Sequence, residues 1–403
     1  MRVLSLSPRQ CQPAVTGAKL RDYYLARAFG ETGDLTYIYF REAGAAPAEM
    51  PFCRELIGVE RPRPYTAGKI LRGIAGRWPL PVLNYTSAAM LAEARRCLAA
   101  ARFDLVYIDA IHLAACEREL RSAPGAAPVV YNWHNIESEL MERFSGHAKS
   151  RAKRWYARLT ARRLAGAEEE ILGSAYGHIV CSEREKEELL RRAPSARIAV
   201  VENGVDAAAF RDDAPAGART RIVFVGAMNY RPNADAAVWF ARSLWAGIRE
   251  QFPELRLTIV GGDPGPEVVA LRDIPGVEVT GRVPQIQPYY RDAMAAVVPL
   301  RVGGGTRLKI VEAMAAGVPV ISTAIGAEGL MVEDGATILI AQEDAAWARA
   351  LRTLQDTETR SRIVDRARAL ATSRYDWNVI GKGLVEACAR WAEEAAVLRK
   401  VAR

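Results

Sequence analysis

The residues with the most to say about chemistry stand together from Arg301 to Val320, in RVGGGTRLKIVEAMAAGVPV. Gly303, Gly304 and Gly305 let the backbone approach a ligand closely and adopt positive φ. Thr306 is placed to cap a helix expected over residues 308–316, whose free N–H groups and dipole then make an anion site. Arg307 and Lys309 put two cations into that same first turn, where the dipole gives no reason for positive charge. A bound phosphate supplies the reason. Glu312 follows on a helix otherwise made of Leu, Ile, Val, Ala and Met, and its carboxylate can accept two hydrogen bonds from vicinal hydroxyls such as a ribose offers. The plainer reading is a glycine-rich turn into a buried helix, with Arg307 and Glu312 paired for solubility. The spacing is not GxxxxGK[ST], so a P-loop is excluded.

His134 is the second candidate. It comes directly after the expected strand Pro128–Asn132, so it sits at a strand's carboxyl end, where open α/β sheets bind their ligands. The alternative is a helix-entry histidine paired with Glu137. His112 and His178 lack such a context and read as structural, and His147 reads as the start of a surface helix. Thr16-Gly17 falls between the first expected strand and a helix over residues 19–30; a turn glycine explains it as well as a ligand does. Four histidines, with no acidic cluster at ligand spacing, argue against a protein-held metal. The six cysteines show no CxxC spacing, which suggests reduced thiols in a cytosolic protein. No GxSxG or other activated nucleophile is present.

These groups need elements to hold them. The chain has 403 residues, 50% of them hydrophobic, enough for two domains with their own cores. There is no 18-residue apolar run to span a membrane, and the N-terminal apolar stretch is too short for a signal peptide. Short β-branched runs are expected as strands at residues 2–7, 35–40, 103–108, 128–132 and 178–181. In the second half they fall at 221–225, 256–260, 277–280, 296–300, 318–322 and 337–340. Helical patterns between them, such as 234–252 and 345–355, imply parallel sheets covered on both faces. The pattern restarts after the polar stretch 210–220, so two doubly wound domains are expected in tandem. The charge divides with them: residues 1–200 hold 30 Lys+Arg against 22 Asp+Glu, and the rest hold 25 of each. The whole excess of +8 lies in the first half, which points to an acidic partner there.

With these elements in place, the chain resembles glycosyltransferase family 4, retaining enzymes of the GT-B fold. EAMAAGVPVI, Glu312 to Ile321, matches the end of the family's nucleotide-sugar motif, and the resemblance gives Glu312 the donor ribose. The glutamate that the family carries eight residues earlier is Gly304 here. ENGVD at residues 202–206 resembles the interdomain linker. VGAMNYRPN at 225–233 stands where the family has VGRLxxxKG; Ala227 replaces the phosphate-binding Arg, and Arg231, Arg307 and Lys309 are the cations available instead. Arg282 and Val283, with residues 289–293, match the segment bordering the donor base, and Gly17 matches a glycine whose amide reaches the donor phosphate. His134 matches the histidine near the reacting sugar. The GAMNYRPN and GGGTRLK segments are similar to sugar transferases of exopolysaccharide systems associated with PEP-CTERM.

The resemblance implies an α/β, GT-B protein with two Rossmann-like domains facing across a cleft. Residues 1–205 would bind the acceptor and 206–375 the nucleotide sugar, with 376–403 a helix packing back on the first domain. The implied enzyme is a metal-independent, cofactor-free hexosyltransferase. His134, Arg307 and Lys309 would carry catalysis, and Gly17, Arg231, Arg282, Val283, Gly303, Gly304, Gly305, Thr306 and Glu312 would hold the donor. Its acceptor would be a cell-envelope or exopolysaccharide glycan, possibly lipid-linked. A nucleotide-sugar epimerase of the same fold would need acid–base carboxylates around His134, which the sequence does not identify; a non-catalytic export subunit is the other alternative. Nucleic acid is a poor partner, because the basic excess lacks interleaved aromatics. Residues 148–167 hold seven basic and no acidic residues. Arg151, Arg154, Arg158 and Arg162 recur at helical spacing, which fits either a solvated helix anchored by Trp155 in the core or a face for anionic lipid. The expected location is cytoplasmic, peripheral at the inner membrane face.

Overall fold

The computed structural model describes residues 1–14, 16–42, 44–121, 127–147, 150–211, 219–302 and 307–401. It divides into two compact units, one of residues 1–202 with the chain from Ile380 onward, the other Asn203–Val379. Each is built on a parallel sheet.

The first unit has seven strands in the order β3-β2-β1-β4-β5-β6-β7. They are β1 Arg2–Ser7, β2 Asp34–Arg41, β3 Glu55–Glu60, β4 Leu105–Asp109, β5 Val129–Asn132, β6 Gly177–Val180 and β7 Ile198–Val200. Leu4, Leu6, Ile38, Val106, Ile108 and Tyr131 fill its core from the inner strands. The sequence pattern located five of the seven strands. The two it missed, β3 and β7, are the sheet's edges, where one flank meets solvent and the apolar run shortens. In β3 the run is further broken by Gly58, where a Cβ would lie 3.1 Å from the Tyr39 hydroxyl. The last helix, Trp377–Val401, lays Trp391 over Gly177, where a Cβ would fall 2.6 Å from the indole.

The second unit has six strands in the order β10-β9-β8-β11-β12-β13. They are β8 Arg221–Val225, β9 Arg256–Val260, β10 Val277–Gly281, β11 Ala293–Val298, β12 Val320–Ser322 and β13 Leu339–Ile340. The expected helix over 234–252 is interrupted. It runs α-helical over Arg231–Trp239, widens to a π segment at Phe240–Leu244, and resumes at Trp245–Gln251. Phe240 and Trp239 both pack edge-on against the buried Trp347 there, 5.1 and 6.4 Å between ring centres. A π turn is the usual way to seat such bulk inside a helix.

Strand order reverses between β1 and β4 in the first unit and between β8 and β11 in the second. A sheet's helices diverge at such a switch point and leave a crevice beyond the carboxyl ends of the two strands. The candidate residues of each unit lie at its own switch point.

Candidate functional site

In the second unit the crevice begins at Gly226, just past β8. Lys309 comes from helix Leu308–Ala315, which follows β11. Its Nζ donates to Asn233 Oδ1 at 2.6 Å and lies 4.8 Å from the Phe224 ring centre. Asn233 in turn donates through Nδ2 to the Ala227 carbonyl at 2.9 Å, which fixes its orientation. Gly226 is glycine for a steric reason: a Cβ would fall 2.9 Å from Lys309 Nζ and 2.7 Å from Asn233 Nδ2. Gly261 must also lack a side chain, because the Gly226 carbonyl occupies that space. The backbones of β8 and β9 therefore close up under a single ammonium group. One of its three N–H groups is taken by Asn233.

Burial pushes the Lys309 ammonium down to about 7, with Glu312 opposing and Arg307 adding to the fall. Burial likewise raises the Glu312 carboxyl to about 7, against the pull of Lys309. Glu312 stands one turn along the helix from Lys309, and the two charges act on one another. Arg307 occupies the N-cap position without a side-chain cap. Its guanidinium is buried, donates to the Ile325 carbonyl at 3.3 Å, and is lowered in pKa by burial. Gly303, Gly304, Gly305 and Thr306 lie outside the described residues. The helix ends in a left-handed glycine: Gly317 has φ +72, Gly317 N–H donates to Met314 O and Val318 N–H to Ala313 O. That is a Schellman stop, so AGVP in the EAMAAGVPV motif is helix termination.

The other expected donor residues are dispersed over this face. Arg231 opens helix Arg231–Trp239 and is exposed. Arg282 is exposed, reaches Asp263 at 2.8 Å and lies along Gly262. Asp263 itself has φ +56 and receives Asn229 at 3.5 Å. Val283 is half-buried against the core.

In the first unit, Gly17 opens helix Gly17–Thr32, whose N-cap Thr16 accepts from the Lys19 amide. His134 lies beyond β5, as its position after an apolar run implied. Its surroundings correct the sequence reading, which placed no acidic cluster there. His134 Nε2 is 3.0 Å from Asp22 Oδ1 and 3.8 Å from Asp109 Oδ1. Its charged partner is thus Asp22 rather than Glu137. Asp22 comes from the first helix, and Arg9 Nε reaches its other oxygen at 3.4 Å. Asp109 is the last residue of β4 and accepts from Asn132 Nδ2 at 2.7 Å. Arg21 binds Asn132 Oδ1 at 2.9 Å and the Val201 carbonyl at 2.7 Å.

Burial opposes charge on His134, but Asp22 and then Asp109 outweigh it and raise its pKa. Burial would also raise Asp22, yet Arg9 and His134 hold it below the usual carboxylate range. Asp109, with Asp22 beside it, is pushed up by burial and by that neighbouring charge. Asp22, Asp109 and His134 offer three ligand atoms within 4.8 Å of one another, a set with the composition of a metal site. Arg9 and Arg21 already supply positive charge to it, which disfavours a further cation. His112 is half-buried, edge-on to Tyr85, and desolvation takes it to about 3. His178 accepts from Trp133 Nε1 in the core. His147 ends helix Glu137–His147 instead of starting one.

Two tandem doubly wound units, each with polar groups gathered at its switch point, define the class of GT-B proteins. Comparison with known proteins sharpens this. The family model described as Glycosyltransferase Family 4 matches residues 17–209, and that described as Glycosyl transferases group 1 matches 219–357. Sucrose-phosphate synthase from Thermosynechococcus elongatus superposes with TM-score 0.67 at 18% identity, covering 100% of this chain and 99% of that one. Anabaena HepE in complex with UDP-glucose gives 0.63 at 16% identity, over 97% and 100%. D-inositol 3-phosphate glycosyltransferase of Frankia alni is 28% identical over 261 residues, which are 58% of this chain and 63% of that protein. The matched stretch therefore spans less than two thirds of that relative's length. The chain belongs to the family 4 glycosyltransferases of the GT-B fold.

Proposed function

We propose that this protein transfers a sugar, with retention, from a nucleotide diphosphate sugar to a cell-envelope or exopolysaccharide acceptor. The second unit takes the donor and the first the acceptor. One observation carries the donor assignment: Lys309 is delivered by helix Leu308–Ala315 to the glycine-lined backbone at Gly226, where Asn233 orients it. A half-buried ammonium whose desolvation outweighs the pull of Glu312 is a poor structural element and a good counter-charge for a diphosphate. Lys309 and Arg307 would stabilise the charge that develops on the leaving diphosphate, since fixed charges in a water-poor site need little reorganisation. Glu312 would hold the ribose, and His134 would hydrogen bond at the reacting sugar. Anabaena HepE, of the same fold, is a UDP-glucose complex, which favours UDP-sugars as the first donors to try.

The carboxylates beside His134 are what an epimerase would require, but both matched family models are glycosyltransferases, and nothing favours a silent scaffold. A thermal-shift screen of UDP, GDP and their sugars, followed by assay of nucleotide release, tests the reading. Absence of stabilisation by any nucleotide would defeat it.

An anionic membrane surface is the proposed setting. Helix Arg151–Ser174 exposes Arg151, Arg154, Arg158 and Arg162. Trp155, considered above as a core anchor, is instead 59% exposed on that helix; Ala157, Thr160, Ala161 and Leu164 form its buried face. Arg163 donates to the Gly76 and Ile74 carbonyls and so ties it to helix Ala67–Ala75. That helix exposes Ile70 and Leu71 beside Lys69 and Arg72. Basic side chains mixed with exposed apolar ones suit a lipid headgroup layer. Among the described residues, no helix is long and apolar enough to cross a membrane.

A further inference from the structure

We infer that Asp22 is a positioning residue for His134: it fixes the imidazole with Nε2 turned onto its carboxylate, leaving Nδ1 as the ring edge that meets a substrate oxygen. The inference rests on the proposal that the first unit takes part in sugar transfer.

Asp22 is a costly residue for stability alone. It sits inside helix Gly17–Thr32, its side chain has no solvent exposure, and aspartate is a weak helix former. An apolar side chain of similar volume would pack there without the desolvation penalty. Its two oxygens are instead divided between two cationic partners, Arg9 on Oδ2 and His134 on Oδ1. A carboxylate held from behind by a guanidinium has little freedom to turn, so the ring that it faces is held too.

The neighbouring backbone is arranged to the same end. Ala110, immediately after Asp109, has φ 62 and ψ 149, a conformation that belongs to glycine. It persists because both its polar groups are tied: its N–H donates to the Asn132 carbonyl at 2.9 Å, and its carbonyl accepts from the Tyr131 hydroxyl at 2.5 Å. The turn leaves the Asp109 carboxylate on Asn132 Nδ2, on the same side of the ring as Asp22. Segments around residues 22, 109 and 132 thus converge on one nitrogen of one imidazole, with Arg9 behind Asp22. Nε2 faces carboxylates in either protonation state, so a substrate oxygen has only Nδ1 to meet. In the imidazolium form Nδ1–H donates; in the neutral form with Nε2–H turned to Asp22, Nδ1 accepts.

The charged and titratable groups around the ring are Arg21 and Asp22 from the first helix, Arg9 from the loop after β1, Asp109 from β4, His112 from the turn that follows, and Glu137 from the next helix. Removing Asp22 and removing Arg9 must therefore move His134 in opposite directions. The test is a titration of the full chain labelled with ¹⁵N-histidine, whose four histidines give few enough signals to follow, with His134→Gln for assignment. Asp22→Asn should lower the His134 midpoint and let its tautomer exchange, while Arg9→Gln should raise it. With a nucleotide sugar as donor, Asp22→Asn should lower kcat at least tenfold and leave the donor KM within about threefold. Asp22→Glu should restore part of both. A midpoint unmoved in folded Asp22→Asn, or moved in the same direction by both variants, would overturn the assignment. The titration needs no turnover, so failure of the transfer reading itself would appear separately, as a wild-type protein that releases no nucleotide.

Discussion

Replacing Lys309 with methionine should make the protein more stable and a worse binder of nucleotides. Holding the ammonium at about 7 against its ordinary 10.5 sets a ceiling of roughly 4–5 kcal/mol on what burial costs the charged form. Lys309 is half-buried, and solvent screening removes much of that ceiling. Loss of the bond to Asn233 subtracts about 1 kcal/mol more. A net gain of about 1–2 kcal/mol remains, or about 3–6 °C in Tm for a unit of this size. The gain has a pH signature. The unfolded lysine keeps its proton up to its ordinary value while the folded one releases it near 7, so the penalty is full below 7 and fades as pH rises from 7 to 10.5. Lys309→Met should accordingly stabilise most near pH 6, below the window, and least near pH 10, close to its upper end, read from melts at both. Affinity should move the other way. Losing charge-assisted bonds to a diphosphate forfeits roughly 1.5–3 kcal/mol, about 10- to 150-fold in Kd. The matching nucleoside, lacking phosphates, should bind both proteins alike in calorimetry. A variant that binds the nucleoside diphosphate within twofold of wild type would refute the placement of phosphate at Lys309.

Glu312→Ala should weaken nucleoside and nucleoside diphosphate alike, by at least about tenfold, because the ribose is common to both. Unchanged nucleotide binding would remove Glu312 from the site. His134→Ala should lower turnover far more than donor affinity, and wild-type turnover would return His134 to a structural role. Chelators should leave activity intact; strict dependence on a divalent cation would contradict the assignment of charge stabilisation to Lys309 and Arg307. In vesicle co-sedimentation, acidic lipid should retain the protein at low salt and release it at high salt, and Trp155→Ala with Leu71→Ala should reduce retention. Equal binding to neutral vesicles would leave those helices as scaffold.

Local order was legible in the sequence. Eleven of the thirteen strands in the two sheets overlap their apolar runs, and ten of these lie within two residues at both ends, because side-chain alternation and burial are written residue by residue. The strands that escaped, β3 and β7, are edges whose half-solvated faces lack that pattern. Glu312, Lys309 and His134 could be singled out because each follows a strand and breaks an apolar context. What surrounds them could not. Lys309 meets Asn233 across 76 positions of sequence, and Asp22, Asp109 and His134 meet from three separate segments. No spacing rule links such residues. They are gathered by strand order, which places β1 beside β4 and β8 beside β11 and opens a crevice at each reversal. The exposure of Trp155 was undecidable for the same reason: a helix shows its period in sequence, but which face meets the sheet depends on what it packs against. Sequence determined the elements and the residue types able to do chemistry. Tertiary structure decided their partners, because burial, charge pairing and pKa are properties of neighbours, and these neighbours come from distant parts of the chain.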